Sequence, residues 1–208
     1  MKKISFMICA LMLAASTALF AQENPFSAGT VEFGIGNLLS YDRIWDDDFT
    51  YNNFSIGTFG NGTRPAWEMS IYPCPPVFNV GYFIIDGLAI DLQGGFYRVE
   101  EEDSDPGDIW FVAPRLKYYL VLSEALFLDL HAGIQYTNFE NESNEYEQLS
   151  YLAGAGIGYL LTENFAVCLG LDYALFEDYK KNGDEYKDSG YNLLNVSVGF
   201  KAFVDFSD

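Results

Sequence analysis

The chain has one histidine, His131, so any catalytic triad or imidazole-rich metal site must be built on it. Asp129 stands two residues earlier, a spacing that on a strand puts both side chains on one face and could form an acid–base pair. Acyl transfer would also need a serine within reach of the imidazole, but Ala132 and Gly133 follow His131 and that segment carries no serine. His131 therefore reads as a member of a polar network, and no catalytic residue is expected. Asp103, Asp105 and Asp108 around Pro106 and Gly107 could offer oxygen ligands, yet they lack the frame and closing glutamate of a calcium loop. Like Asp46, Asp47 and Asp48 they read as solvated acidic turns, so neither metal nor cofactor is expected. Cys74 and Cys168 fall on segments that a meander keeps apart, and both are expected unpaired.

The elements that hold these residues follow from composition and pattern. The 208 residues suffice for one domain or two small ones. They are 50% apolar and 17% aromatic, which excludes disorder, while a mean hydropathy of +0.02 is too low for a bundle of membrane helices. Eleven Lys and Arg against 30 Asp and Glu leave a net charge of -19, which excludes a general grip on nucleic-acid phosphates. Three cysteines are too few for a disulfide-stapled scaffold.

Residues 1–21 have the layout of a secretory signal: basic Lys2 and Lys3, an apolar run from Ile4 to Leu13, and a small-residue stretch from Ala14 to Ala21. Ser16 and Thr17 keep the apolar part below the roughly 20 residues of a spanning helix. Sec-type export with cleavage near Ala21 is expected, leaving 22–208 as one domain.

Beyond Ala21 the dominant period is two. In the last segment Leu194, Val196, Val198, Phe200, Ala202, Val204 and Phe206 share one face, and Asn195, Ser197, Gly199, Lys201 and Asp205 the other. The same reading gives eight strands, near Gly29–Leu38, Trp67–Phe83, Leu88–Val99, Ile109–Val121, Ala125–Phe139, Leu149–Leu161, Phe165–Phe176 and Tyr191–Phe206. Pro73, Pro75 and Pro76 predict a bulge at Cys74 in the second. Connections alternate between tight turns and longer polar loops such as Leu39–Ala66, Glu100–Asp108, Glu140–Gln148 and Glu177–Gly190. The pattern predicts an all-β, eight-stranded antiparallel up-and-down barrel, because closure removes the unpaired edges.

A closed barrel can turn its apolar face inward around a ligand or outward to lipid. Trp110 and Tyr118, Tyr151 and Tyr159, and Phe165 and Tyr173 each lie eight residues apart on the apolar face. Eight tilted residues cover roughly 20 Å of height, close to the ~25 Å band between aromatic girdles, so a transmembrane β-barrel is predicted. The opposite face carries Glu32, Glu68, Asp91, Arg115, Lys117, Asp129, His131, Asp172 and Lys201, with Asn79, Gln93, Gln135 and Asn195. These are expected to form a lumen network in which Arg115 and Lys117 hold Asp91, Asp129 or Asp172, with glycines such as Gly154 and Gly156 leaving room.

Two tight-turn segments, Gly81-Tyr82-Phe83-Ile84-Ile85-Asp86-Gly87-Leu88-Ala89-Ile90 and Gly158-Tyr159-Leu160-Leu161-Thr162-Glu163-Asn164-Phe165-Ala166-Val167, echo one another. Together with the alternating last strand they resemble the eight-stranded outer-membrane β-barrel family, the group similar to the OmpA transmembrane domain and the opacity-type proteins. That resemblance implies a bacterial outer-membrane protein embedded in lipid as a monomer, inserted by barrel-assembly machinery that reads the C-terminal strand. The resemblance says little about activity; the loop chemistry favours a non-enzymatic structural or adhesin-like role, through four acidic extracellular loops, with a narrow porin-like channel as the alternative. Tyr41, Trp45, Phe49 and Tyr51 crowd the longest loop and are the expected contact residues, for a partner that is basic or bridged by divalent cations.

Overall fold

The structure, a computed structural model, describes residues 26–46, 50–56, 77–99, 107–141, 143–186 and 189–206. Its strands are β1 (Val31–Trp45), β2 (Thr50–Ile56), β3 (Val77–Ile85), β4 (Leu88–Val99), β5 (Gly107–Val121), β6 (Leu126–Asn141), β7 (Glu145–Thr162), β8 (Phe165–Phe176), β9 (Lys180–Lys181), β10 (Asp184–Glu185) and β11 (Tyr191–Val204). Strand β1 pairs antiparallel with β3, the chain continues as a meander from β3 to β8, β8 pairs with β11, and β11 returns to β1. The result is a closed antiparallel barrel of eight strands with no free edge around its waist.

Registered partners, followed once around from Val31, run through Tyr82, Ile90, Leu116, Ala132, Ala153, Tyr173 and Leu194 to Arg43. Arg43 lies twelve positions along β1 from Val31, and two of those are absorbed by an irregularity between Ile35 and Leu39. A stagger of about ten residues over eight strands corresponds to a tilt of about 40° and a radius of about 8 Å, an interior that side chains can fill. Asn37 sits in the irregularity with φ of 55°, a left-handed conformation that asparagine tolerates.

Several strands run past the limits that periodicity suggests. β1 continues through Trp45, because Tyr41, Arg43 and Trp45 keep one phase and Ser40, Asp42 and Ile44 the other, with β2 paired beside them. β6 and β7 extend to Asn141 and Glu145, so the expected loop Glu140–Gln148 is mostly ladder closed by a short turn. Asn141 caps that turn, its Oδ1 accepting bonds from the backbone N–H of Ser143 and Asn144. Inside Glu177–Gly190 the chain forms the small β9–β10 hairpin, turned by Asn182 and Gly183, both at positive φ, and β9 pairs with β7. These extensions escaped the sequence reading because polar residues occupy both of their faces.

The second strand of the barrel is shared: β3 pairs with β1 over residues 31–36, and β2 pairs with β1 over 39–45. Trp67, Glu68, Pro73, Cys74, Pro75 and Pro76, and with them the expected bulge, lie outside the described residues, as does Phe49.

Inside, the barrel is layered. At the end of the tight turns Phe26, Phe83, Tyr119, Phe127 and Phe203 form a buried aromatic floor with Ala89, Ala166 and Cys168. Toward the loop end Ile44, Ala174, Phe176, Tyr191 and Leu193 form a second cluster, in which the rings of Phe176 and Tyr191 stack at 4.4 Å. Charged and amide side chains fill the space between.

Candidate functional site

The polar layer is assembled rung by rung. Glu32 on β1 registers with Gly81 on β3, Gly81 with Asp91 on β4, and Asp91 with Arg115 on β5. Arg115 donates to Asp91 Oδ1 from Nε at 2.6 Å and from Nη2 at 2.5 Å. Lys117, two residues on and so on the same face, reaches Glu32 Oε1 at 2.9 Å and Asp91 Oδ2 at 3.0 Å. Asn79 bridges the same two acids, at 2.8 Å to Glu32 and 3.0 Å to Asp91. The Tyr119 hydroxyl donates to Glu32 Oε2, so this fully buried carboxylate has four polar neighbours when Lys201 at 3.7 Å is included.

A second rung joins His131 on β6, Gly154 on β7 and Asp172 on β8. His131 Nδ1 lies 2.9 Å from Asp129 Oδ1, and its Nε2 lies 2.5 Å from Asp172 Oδ1 across β7. A Cβ at Gly154 would fall against His131 Nε2 and Asp172 Oδ1, so glycine there is what lets β6 reach β8. Gly156 makes the same room for Asp129. Lys201 on β11 closes the circle, donating to Asp129 Oδ2 at 3.0 Å and to the Tyr119 hydroxyl at 2.9 Å. An imidazole whose two nitrogens face carboxylates satisfies both only as the imidazolium. With that proton, Glu32, Asp91, Asp129 and Asp172 are balanced by Arg115, Lys117, Lys201 and His131. Groups this desolvated persist because each carboxylate has its cation and further hydrogen bonds.

Of the residues expected in the lumen, these eight converge on one belt, while Asp205 lies exposed beyond the end of β11. Arg115 and Lys117 serve Asp91 and Glu32; Asp129 and Asp172 go instead to His131 and Lys201. Sequence reasoning missed Tyr119, whose uncharged ring does not mark it as a lumen donor. It also missed Asp42, which is buried on β1 and accepts from Asn195 Nδ2 at 2.6 Å. Continuing the β1 alternation past Leu38 would have found it. A cavity of about 120 Å³ remains beside the belt, lined by Gln93, Gln135, Ser197 and Asp172 among others.

Tyr41 and Trp45 occupy the outer face of β1 instead of a loop tip, because the strand continues through them. The Trp45 ring packs 6.1 Å from Tyr173, and the Tyr41 hydroxyl donates to Asn52 Oδ1 at 2.8 Å. Tyr51 is on β2, in register with Ile44. Ordered aromatics do occur beyond the barrel rim: Phe139, Tyr146, Tyr179 and Tyr186 follow one another at 5.5, 5.7 and 5.2 Å. Lys181 lies 5.3 Å over Tyr146, whose hydroxyl raises the pKa of that ammonium.

The outer face decides between a ligand cup and a membrane barrel. Ile90, Leu92, Leu116, Leu169 and Leu171 are each about half exposed around the waist, and the paired aromatics Trp110, Tyr151, Tyr159, Phe165 and Tyr173 are exposed above and below. Apolar side chains outside with buried charges inside is the arrangement lipid requires. The model of the outer membrane protein beta-barrel domain matches residues 7–201. The chain belongs to this family. Membership places the barrel in the lipid of the bacterial outer membrane. Solved structures agree on the fold: Neisserial surface protein A is 13% identical, with a TM-score of 0.52 over 84% of this chain and 97% of that one. Outer membrane protein AlkL in DMPC bilayers is 12% identical, with a TM-score of 0.53 over 92% and 97%. The attachment invasion locus protein Ail of Yersinia pestis, solved with the heparin analogue sucrose octasulfate, is 14% identical, with a TM-score of 0.50 over 85% and 99%. No curated protein matches the sequence.

Proposed function

We propose that this outer-membrane barrel is a non-enzymatic, surface-interaction protein that works through its acidic loop end. The observation that carries the reading is the ordered extension beyond the girdle, where β6 and β7 continue as a ladder and β9 docks on β7. There Glu147, Glu177, Asp178 and Glu185 line a cleft of about 680 Å³ with Lys180 as its basic residue. Both nitrogens of His131 are bound to carboxylates, which leaves neither to activate a nucleophile. Export by the signal in residues 1–21, insertion through the last strand and a monomeric state belong to the same reading.

Its topology has both chain ends in the periplasm and four loops outside. An epitope tag placed at Asp105 is expected to be labelled on intact cells and one at Glu124 is not; labelling at Glu124 reverses the orientation.

The partner is basic, or is bridged by divalent cations, since like charges on neighbouring loops repel polyanions. Ail was solved with a polysulfated ligand; the acidic rim here predicts the opposite selectivity. The purified barrel in lipid nanodiscs is expected to retain an arginine-rich peptide and not sucrose octasulfate. Added salt weakens that binding, and a chelator weakens only a cation-bridged complex. Retention of the peptide that ignores both salt and chelator makes the charge a solubilising fringe and defeats the proposal.

A further inference from the structure

The aromatic floor contains one ring that does not come from the barrel wall. Phe26 precedes β1 and is fully buried, with its ring centroid 4.7 Å from Tyr119, 4.9 Å from Phe127, 5.0 Å from Phe203 and 5.8 Å from Phe83. Those four rings belong to β5, β6, β11 and β3, so Phe26 fills the centre that strands on opposite sides of the barrel leave open.

The segment carrying it is a strap across the mouth. The Phe26 carbonyl accepts from Gly87 N at 2.9 Å, Ala28 N donates to Asp86 Oδ1 at 2.9 Å, and Gly29 N donates to the Phe83 carbonyl at 2.9 Å. The Thr30 carbonyl accepts from Phe83 N at 3.0 Å. All four bonds go to β3 or the turn that follows it. The wall is registered without them, because from Val31 onward β1 pairs with β3 at Tyr82 and with β11 at Val204. Cys168, itself part of the floor, and Lys201 both line the cavity of about 120 Å³ beside the belt.

We propose that residues 26–30 are a stopper: Phe26 seals the lumen from the side of the tight turns, and the strap can withdraw while the wall stays closed. Among the described residues the bonds of this short segment to the wall go to one strand and its turn, and such a segment opens locally at lower cost than a continuous ladder. With Phe26 out, the polar cavity and Cys168 are reached from that mouth.

Cys168 is a free, buried thiol and serves as the reporter. The chain from residue 22 onward, carrying Cys74→Ser so that Cys168 is its one thiol, is refolded into lipid vesicles and treated with a small cationic methanethiosulfonate, and folding is read from the gel shift of the unheated barrel. The parent is expected to react slowly, and Phe26→Gly about tenfold faster or more with its gel shift retained. Equal rates in a folded Phe26→Gly overturn the proposal. So does a parent thiol that reacts as fast as an exposed one. Should Phe26→Gly not fold, the parent in rising urea decides: the stopper predicts that Cys168 becomes reactive before the gel shift is lost. Reactivity that appears only together with loss of the shift shows the strap to be part of the wall's own fold and ends the proposal.

Discussion

Replacing Lys117 with Met is expected to lower the stability of the barrel by about 3 kcal/mol, because it removes one ammonium shared by two desolvated carboxylates. Lys117 is 2% exposed in its side chain, Glu32 and Asp91 are 0% exposed, and both ion pairs are 3.0 Å or shorter. An exposed pair of the same geometry would contribute ~0–1 kcal/mol, so burial is what makes the effect large. Met keeps most of the length and apolar stem, which confines the change to the charge. Arg115 still serves Asp91 and Lys201 still stands 3.7 Å from Glu32, which keeps the loss from exceeding the range for a broken buried pair. Urea unfolding in detergent micelles checks the value. The double variant Lys117→Met with Glu32→Gln should recover part of the loss, since it removes one of the two stranded charges. A shift below about 0.5 kcal/mol for Lys117→Met would mean that water reaches the belt.

A strand is legible in the sequence where one of its faces is distinct from the other. In β11 the lipid-facing residues Leu194 to Val204 are apolar throughout, and the strand was legible to within two residues of its end. Where β1 leaves the apolar band, Asp42 and Arg43 face opposite ways with similar polarity, and the period carries no contrast to follow. The belt's membership was visible as charge in the wrong phase for lipid, but its pairing was not. Which acid meets which base depends on the register across neighbouring strands, as in His131, Gly154 and Asp172. Phe26 was invisible for a different reason: it belongs to no alternating run, and only the closed barrel creates the hole it fills.

The filled lumen supports the proposal that function lies at the loop end. Between the aromatic floor and the cluster around Phe176 and Tyr191, the interior of a barrel about 8 Å in radius is occupied by paired ions, with a cavity of about 120 Å³ beside them. An ion passing through would have to displace Phe26 and then the Glu32–Lys117–Asp91 bridge, whose members are held by their neighbours. Single-channel recording of the pure protein in planar bilayers tests this most directly. The account predicts a current that stays at the bare-membrane baseline apart from brief, irregular events. Large, steady unitary steps would contradict it and make the protein a channel.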